Sequence, residues 1–171
     1  MAKQLPAVLK NYNVFVDGDS YARTAKTIEL PEIVKKTEEY RGAGMIGDID
    51  LDMGFEKMES TITYTGVDSR HFAQLAKCGV SDLPIRYVGA YERQDICKHV
   101  IREVYMRGSL KEFQLGEMEL GSINEQELLY GVTYLKVVDD GFELCEIDLV
   151  NGICILGGVD KTSQINALLG L

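Results

Sequence analysis

Few residues in this sequence have the types and spacing that catalysis or metal binding requires. Cys97 and His99 stand two apart, which would place them on one face of a strand and would suit a nucleophilic dyad or half of a zinc site. No second pair with metal-ligand spacing is present, and the other histidine, His71, falls on the solvated face of a predicted helix. We therefore interpret the pair as a packed cysteine beside a partly exposed histidine.

The acidic segment from Asp48 to Asp52 invites a calcium interpretation, because Glu59 also occupies the twelfth position counted from Asp48. An EF-hand loop requires glycine at its sixth position, where this chain has Met53. Alternating acidic and apolar residues are instead typical of a half-buried extended segment. Lys161–Thr162 lacks the glycine that a phosphate-binding loop needs directly before its lysine. We expect no catalytic residue, no metal and no cofactor.

Composition excludes several other functions. The 171 residues are 46% hydrophobic, and 27 acids against 18 bases give a formal charge of −9. This balance argues against tight general binding to nucleic acids or anionic membranes, which need cationic surface. The length predicts a single domain over 1–171, and no apolar stretch suits a signal peptide or membrane anchor. The four cysteines lack a framework spacing and are predicted to be reduced, mostly buried thiols of a cytosolic protein.

Strands and turns dominate the pattern that must position these residues. Asp17–Gly18 and Asp140–Gly141 are dipeptides that favour tight hairpin turns. Leu128–Val138 has apolar residues at odd and even positions, which predicts a strand buried on both faces, in the fold or in an assembly. Further strands are predicted at Val14–Val16, Tyr21–Leu30, Ile33–Tyr40, Lys57–Thr65, Pro84–Arg93, Cys97–Arg107 and Phe142–Val150.

One internal helix is predicted from Asp68, its N-cap, to Gly79, which suits the left-handed position after its end. Its apolar stripe, expected to pack on a sheet, consists of Phe72, Leu75 and Ala76. Asp160–Leu169 allows a short second helix, with Asp160 as its cap and a stripe of Ile165, Leu168 and Leu169. The fold class is therefore mainly β, an antiparallel β-sandwich or barrel with one flanking α-helix and a short C-terminal helix.

Glycine and acidic residues are unevenly distributed along the sequence. Residues Gly42–Gly54 are expected to form a long ordered loop rather than an element. Three stretches contain acids and no base: Met45–Glu56 and Phe113–Glu127 with four acids each, and Val137–Val150 with five. They are either ordinary solubilising loops or parts of one negative surface.

The segment Tyr40–Met45 reads YRGAGM, and here the sequence resembles the major tail tube proteins of contractile-tailed bacteriophages and of phage-tail-like bacteriocins. The resemblance extends across nearly the whole chain, with Pro84–Arg86 and Met106–Gly108 at matching spacing. It implies a structural virion protein and not an enzyme.

In that family six subunits form a ring, and rings stack into a hollow tube inside a contractile sheath, with strands of all six subunits lining the lumen. The resemblance implies that the tube penetrates the host envelope and that DNA passes through the lumen without specific binding. The implied partners are further copies of the chain, the tail sheath protein, and baseplate and tape-measure proteins. The implied location is the virion tail, assembled in the host bacterial cytoplasm. Two alternatives remain: the tube of a bacteriocin or contractile secretion particle without DNA, and a small β-fold enzyme or metal-binding protein.

Site residues follow from the resemblance by position only. Candidates for contact with a neighbouring subunit are Tyr40, Arg41, Gly42, Gly44, Met45 and Gly47; the alternative is a loop folded on its own subunit. Candidate strands for the lumen wall are Ile33–Tyr40, Lys57–Thr65, Ile85–Arg93 and Cys97–Arg107. Since phosphate would adhere to exposed bases, those strands require that their cations be paired or face away, namely Lys35, Lys36, Arg86, Arg93, Lys98 and Arg102.

Overall fold

The computed structural model describes residues 5–95 and 97–170. Twelve β-strands and two short helices are present in this part of the chain. The strands are β1 (Ala7–Val16), β2 (Asp19–Ser20), β3 (Ala25–Glu29), β4 (Lys35–Tyr40), β5 (Ile49–Phe55), β6 (Met58–Thr65), β7 (Leu83–Arg93), β8 (Lys98–Gln114), β9 (Glu125–Asp139), β10 (Phe142–Asp148), β11 (Ile153–Leu156) and β12 (Val159–Asp160). The helices are α1 (Arg70–Leu75) and α2 (Ser163–Leu169). The mainly β, antiparallel class with two helices is thus confirmed.

Two long strands, β8 and β9, organise the fold because they pair with each other while their outer partners change midway: β7 leaves β8, and β6 gives way to β10 along β9. The first half of β8 and the second half of β9 belong to a wide sheet with the order β12-β11-β10-β9-β8-β7-β1-β2. The other halves belong to a narrow sheet with the order β3-β6-β9-β8. All of these pairings are antiparallel.

A β-bulge marks the change from one sheet to the other. Arg107 pairs with Tyr134 but Gly108 pairs with Val132, so Thr133 is the extra residue in β9. The buried positions of β9 are even up to Val132 and include the odd residue Leu135 beyond it. Within the subunit, the prediction that this strand is buried on both faces was therefore wrong. Apolar residues occur at odd and even positions because the bulge changes which of the two sets faces the core.

The core lies between the two sheets. From the narrow sheet it receives side chains such as Ile62 and Leu128, and from the wide sheet Ile85, Met106 and Ile147. All five are at most 2% exposed.

Tight turns connect consecutive strands. Asp17–Gly18 and Asp140–Gly141 have positive φ at both positions, which confirms the hairpin turns expected there.

Helix α1 is shorter than expected and presents a different face to the core. The Asp68 carboxylate accepts the Arg70 backbone N–H at 2.9 Å, as expected, but the N-cap residue of the helix is Ser69 and not Asp68. The expected apolar stripe is wrong, since Phe72 and Leu75 remain about half exposed. The buried residues are His71 and Gln74, because the core beneath α1 presents tyrosine hydroxyl groups and rings that a polar helix face can contact.

The Gln74 amide joins α1 to β9 and to the segment that follows β2. Its Nε2 donates to the Tyr21 hydroxyl at 2.9 Å, and its Oε1 accepts from the Tyr130 hydroxyl at 2.9 Å. His71 packs beside this bridge between the rings of Tyr21 and Tyr64, with centroid separations of 5.5 and 4.6 Å. The solvated position expected for His71 was therefore wrong; it is fully buried.

Two further expectations about local structure need correction. The segment Gly42–Gly54 is not a continuous loop, because β5 within it pairs with β4 to form a two-stranded hairpin. Of the four free cysteines only Cys145 and Cys154 are buried, whereas Cys78 and Cys97 are exposed. Neither helix in the described part of the chain combines the length and apolarity that crossing a membrane requires.

The C-terminal helix forms as expected, but its apolar stripe lies open. Asp160 Oδ1 accepts the backbone N–H groups of Thr162 and Ser163 at 2.8 and 3.0 Å, but the N-cap residue of the helix is Thr162 and not Asp160. Ile165, Leu168 and Leu169 are between 57% and 88% exposed, so this stripe has no partner within the described chain.

We predict that the Gln74 bridge stabilises the fold through its two hydroxyl partners. Gln74→Leu should lower the free energy of unfolding by about 2–4 kcal/mol, because two buried hydroxyl groups lose their partner. The triple variant Gln74→Leu/Tyr21→Phe/Tyr130→Phe should recover most of this loss, since the orphaned groups are removed as well. Urea denaturation of dilute monomer measures both. A triple variant no more stable than Gln74→Leu would contradict the explanation.

A second prediction concerns the loss of stability at low pH. Burial lowers the pKa of His71. The charge of Arg70 lowers this pKa further, whereas Asp68 and Gln74 raise it, and the net shift is downward. Below about pH 6.5 the unfolded chain takes up a proton that the folded chain resists, so stability should fall as the pH decreases from that value. His71→Phe should make the free energy of unfolding less dependent on pH between about pH 7 and 5, whereas the matched change His99→Ala at an exposed position should not. Equal profiles for His71→Phe and the parent chain would refute the assignment.

Candidate assembly surfaces

The residues considered for catalysis or metal binding do not lie together in the structure. Cys97 lies in the turn before β8 with a φ of 48°, and His99 is exposed on that strand, so the two do not form a packed pair. In β5, Asp52 accepts from Lys35 at 2.7 Å and from the Gly54 N–H at 2.9 Å. These bonds lower the pKa of Asp52 and use its carboxylate locally. Across residues 5–95 and 97–170, no three His, Cys, Asp or Glu side chains are grouped to hold a metal.

The outer face of the narrow sheet is polar, acidic and rich in threonine. Thr61 and Thr63 of β6 lie beside Leu129 and Glu127 of β9. The neighbouring positions are also threonine or glutamate, namely Thr27, Glu29, Glu59, Thr65, Glu112 and Glu125. This face is therefore mainly a hydroxyl and carboxylate surface.

The lysines on the acidic face are held by carboxylates. Lys26 pairs with Glu125, and Lys57 and Lys111 both pair with Glu59. The Lys111 stem crosses Gly131, where an added Cβ would lie 2.8 Å from its Cδ. Glu29 and Glu127 make no ion pair with any described residue, so carboxylate is in excess on this face.

Neither edge of the narrow sheet pairs with a further strand of the described chain. Strand β3 pairs with β6 on one side only. On the other edge, β7 stops pairing with β8 at Gly108, so residues 109–114 of β8 pair only with β9. Because open edges are templates for further strands, the sheet is built to be extended or covered.

The four strands proposed for the lumen wall do not form one surface in the subunit. Strand β4 lies outside both sheets, in the hairpin with β5, while β6 is separated from β7 by β9 and β8. Their bases are mostly paired: Lys35 with Asp52, Arg86 with Glu103, Arg93 with Asp95, Lys98 with Asp140 and Arg102 with Asp139. Lys36 makes no ion pair with the described residues.

The β4–β5 hairpin carries the six candidate contact residues at and near its tip. Arg41 donates to the Ile46 carbonyl at 3.2 Å, and Met45 folds back so that its sulfur lies 3.0 Å from the Gly42 nitrogen. Gly44 adopts a φ of 87°, which permits this compact turn. Tyr40 also packs over Gly42. The tip is therefore ordered by its own contacts, while Ile46 is fully exposed and Gly47 lies beside it.

The outer face of the wide sheet contains a groove that sequence reasoning missed. Its volume is about 830 Å³, and prominent lining residues are Phe15, Arg86, Tyr105, Arg107, Tyr134 and Lys136. These residues come from β1, β7, β8 and β9, so only the strand register reveals that they are neighbours.

These features define a class of protein. Open sheet edges, a projecting hairpin and exposed apolar stripes characterise a structural subunit that completes itself by assembly. A family model described as phage tail tube protein FII matches residues 6–170. The chain belongs to this family of tail tube proteins, the inner-tube subunits of contractile tails, and is thus a component of the virion tail.

Individual relatives agree with this membership. The tail tube protein of Escherichia phage P2 is 38% identical over 170 residues, covering 98% of this chain and 99% of the relative. The major tail tube protein of Serratia phage KSP20 is 29% identical over 151 residues, covering 87% and 86%.

Solved structures share the fold at much lower identity. The sheath/tube terminator of an extracellular contractile injection system in its extended state has a TM-score of 0.61 at 11% identity, covering 80% of this chain and 99% of that one. The sheath–tube complex of the same kind of particle gives a TM-score of 0.60, also at 11% identity, covering 80% and 94%. The same β architecture thus persists where sequence similarity has almost vanished.

Proposed function

We propose that this chain, as one tail tube domain over 1–171, forms closed hexameric rings that stack into the conduit of a contractile tail. The observation that carries the proposal is the pair of open edges on the narrow sheet. In the order β3-β6-β9-β8 each strand is antiparallel to the next, so β8 of one copy and β3 of the next are also antiparallel when the sheets join head to tail. Repetition around a ring leaves no free edge. The number six comes from the resemblance.

The acidic threonine face is the proposed lumen wall. Of the four strands suggested by sequence it keeps only β6, and it adds β3 and the paired halves of β9 and β8, because these form one continuous surface on the narrow sheet. Carboxylates repel the phosphate backbone, and the lysines already paired with them offer no free cation to which DNA could adhere. Such a lining supports passage of DNA without specific binding, which remains part of the proposal.

The other expected roles are proposed on the same basis. The hairpin tip with Tyr40, Arg41, Gly42, Gly44, Met45 and Gly47 contacts a neighbouring subunit, the tail sheath and baseplate are partners, and the tape-measure protein occupies the lumen during assembly in the host cytoplasm. The structures similar to this chain include a sheath–tube complex and a baseplate, which supports the first two partners. The chain acts as a passive conduit and performs no catalysis.

Backbone protection tests the ring proposal. In purified protein concentrated over days, negative-stain electron microscopy should show rings or hollow rods. Hydrogen exchange should then slow in residues 25–29 and 109–114 on assembly, because their free amides become paired. The matched control is 85–90 in β7, which is paired on both sides in the monomer and should change little. Rings in which both edges exchange as fast as in the monomer would overturn the proposed closure.

Lumen charge gives a separate prediction. Tubes of Glu29→Lys/Glu127→Lys should retain a labelled duplex oligonucleotide about tenfold more than parent tubes at low salt, and lose it at high salt, because phosphate–lysine contacts release counterions. Asp19→Lys/Asp17→Lys, which makes the same charge change at the β1–β2 turn, should not retain it. Cosedimentation measures the bound fraction. Equal retention by the two variants would place the acidic face outside the lumen.

A further inference from the structure

One arginine at an unpaired edge of the narrow sheet has no partner in its own chain. Among the lysines and arginines that the structure describes, only Arg23, Lys36 and Lys161 make no ion pair. The Thr24 carbonyl accepts the Thr65 backbone N–H at 2.7 Å, so the ladder between β3 and β6 begins directly after Arg23. An uncompensated cation therefore stands where the β3 edge starts.

The backbone of Arg23 is strained. Its φ is 76°, in the left-handed region that glycine adopts freely and other residues adopt at a cost. The conformation is fixed by a turn in which the Tyr21 carbonyl accepts the N–H groups of Thr24 and Ala25 at 3.2 and 2.9 Å. Glycine would fill this position without strain, so the arginine side chain must supply something that the folded monomer does not use.

Unpaired negative charge lies at the end of the other unpaired edge, in the loop 115–124 that follows β8. Glu117 and Glu119 are exposed, and neither makes an ion pair within 5–95 and 97–170. The loop is ordered, because Asn124 Nδ2 donates to the Glu117 carbonyl at 3.1 Å and the Ser122 N–H donates to the Glu119 carbonyl at 3.2 Å. These carboxylates are thus held in position without a cation beside them.

The two edges also share an irregular spacing of core residues. Ala25 and Ile28 of β3 pack against the core, as do Leu110 and Phe113 of β8. Residues three apart in a strand share a face only where a bulge lies between them. Both intervals contain such a register shift, one in the pairing of β3 with β6 and the other in the pairing of β8 with β9.

Only one antiparallel alignment of β3 with β8 of a second copy keeps both core pairs on one face. It places Ala25 opposite Phe113 and Ile28 opposite Leu110, because opposite residues in paired strands point to the same side. A slip of one residue in either direction would set Leu110 against a residue of the opposite, polar face. The matched bulges therefore select a single register.

This register also matches the charges along the two edges. Lys26 falls opposite Glu112, which makes no ion pair with the described residues of its own chain. Arg23 falls opposite Leu115, and Glu117 lies at most about 7 Å further along the chain, within reach of an arginine side chain. No charged residue of β3 falls opposite a residue of like charge, an arrangement that would destabilise the pairing.

We infer that Arg23 of one copy pairs with Glu117 of the next copy and fixes this register of β3 on β8 when the ring closes. The inference rests on the proposed function, to which it adds the register of the joint and the residue that specifies it. Within one chain β6 and β9 separate the two edges, by about 14 Å across the sheet, so the unpaired charges can meet only between copies.

Disulfide formation tests the register. The chain carries Cys78→Ser and Cys97→Ser, which remove the exposed thiols, together with Lys26→Cys and Glu112→Cys on the two edges. Mild oxidation of assembled protein should give a ladder of joined copies on a non-reducing gel. The bonded fraction should exceed by about tenfold that of the matched variant with Gln114→Cys in place of Glu112→Cys, because a displacement of two residues exceeds the reach of a disulfide. Equal or greater joining of the matched variant would overturn the register.

The variant Arg23→Gly separates assembly from folding. It should not lower the urea midpoint of dilute monomer, because glycine relieves the backbone strain. It should raise the protein concentration needed for assembly about tenfold, and Arg23→Lys, which keeps the charge, should recover part of this loss. Assembly of Arg23→Gly at the parent concentration would overturn the role of the side chain.

A charge exchange identifies the partner of Arg23. Arg23→Glu should raise the concentration needed for assembly at least as much as Arg23→Gly, and adding Glu117→Lys should restore it, because opposite charges again meet across the joint. Lys161→Glu, the same change at another unpaired base, should not be repaired by Glu117→Lys. Circular dichroism and sedimentation of dilute protein confirm that each variant is folded. Failure of Glu117→Lys to repair Arg23→Glu would overturn the pairing.

The outcomes distinguish this inference from the proposed function. Tubes whose joints form in another register, or without dependence on Arg23, would overturn the inference and leave the tube intact. Parent chains that stay monomeric at all concentrations and on supplied baseplates would instead overturn the assembly itself.

Discussion

The crossing of β8 and β9 at Gly108 and Gly131 is the constraint on which the rest of the structure depends. A Cβ on Gly108 would lie 1.9 Å from the Gly131 carbonyl oxygen, a distance no side chain can occupy. Glycine therefore permits the close approach of the two strands next to the Thr133 bulge. At this point the strands leave one sheet and enter the other, so the core, the sheet edges and both outer faces take their positions from it.

This arrangement leaves the subunit closely packed inside and incomplete outside. The core is closed by apolar side chains, and Gln74 bridges the Tyr21 and Tyr130 hydroxyls under α1. The narrow sheet, in contrast, ends on both sides in backbone groups without a strand partner. For a monomer such edges are a liability, but in the ring that we propose they join neighbours through backbone bonds that depend little on side-chain identity.

Charge is distributed to suit such an assembly. Most bases on the strands are held by carboxylates of the same chain, which limits their attraction for phosphate. Copies with a net charge of −9 repel one another, so contacts between them need local complementarity. Exposed apolar stripes, such as that of α2, add area that water disfavours.

The sequence by itself determined the local structure. Asp17–Gly18 and Asp140–Gly141 fix φ > 0 turns, Asp68 and Asp160 accept backbone N–H groups where the helices begin, and alternation of apolar residues gives antiparallel strands, because each depends on residues a few positions apart. The motif around Tyr40–Met45 also indicated the family. Tertiary structure decided the rest. The parity switch in β9, the burial of His71, and the meeting of Arg86, Tyr105 and Lys136 in one groove depend on strand register and on a bulge. Register is set by packing between distant segments, and a shift of one residue reverses which side chains face the core, so no local pattern encodes it.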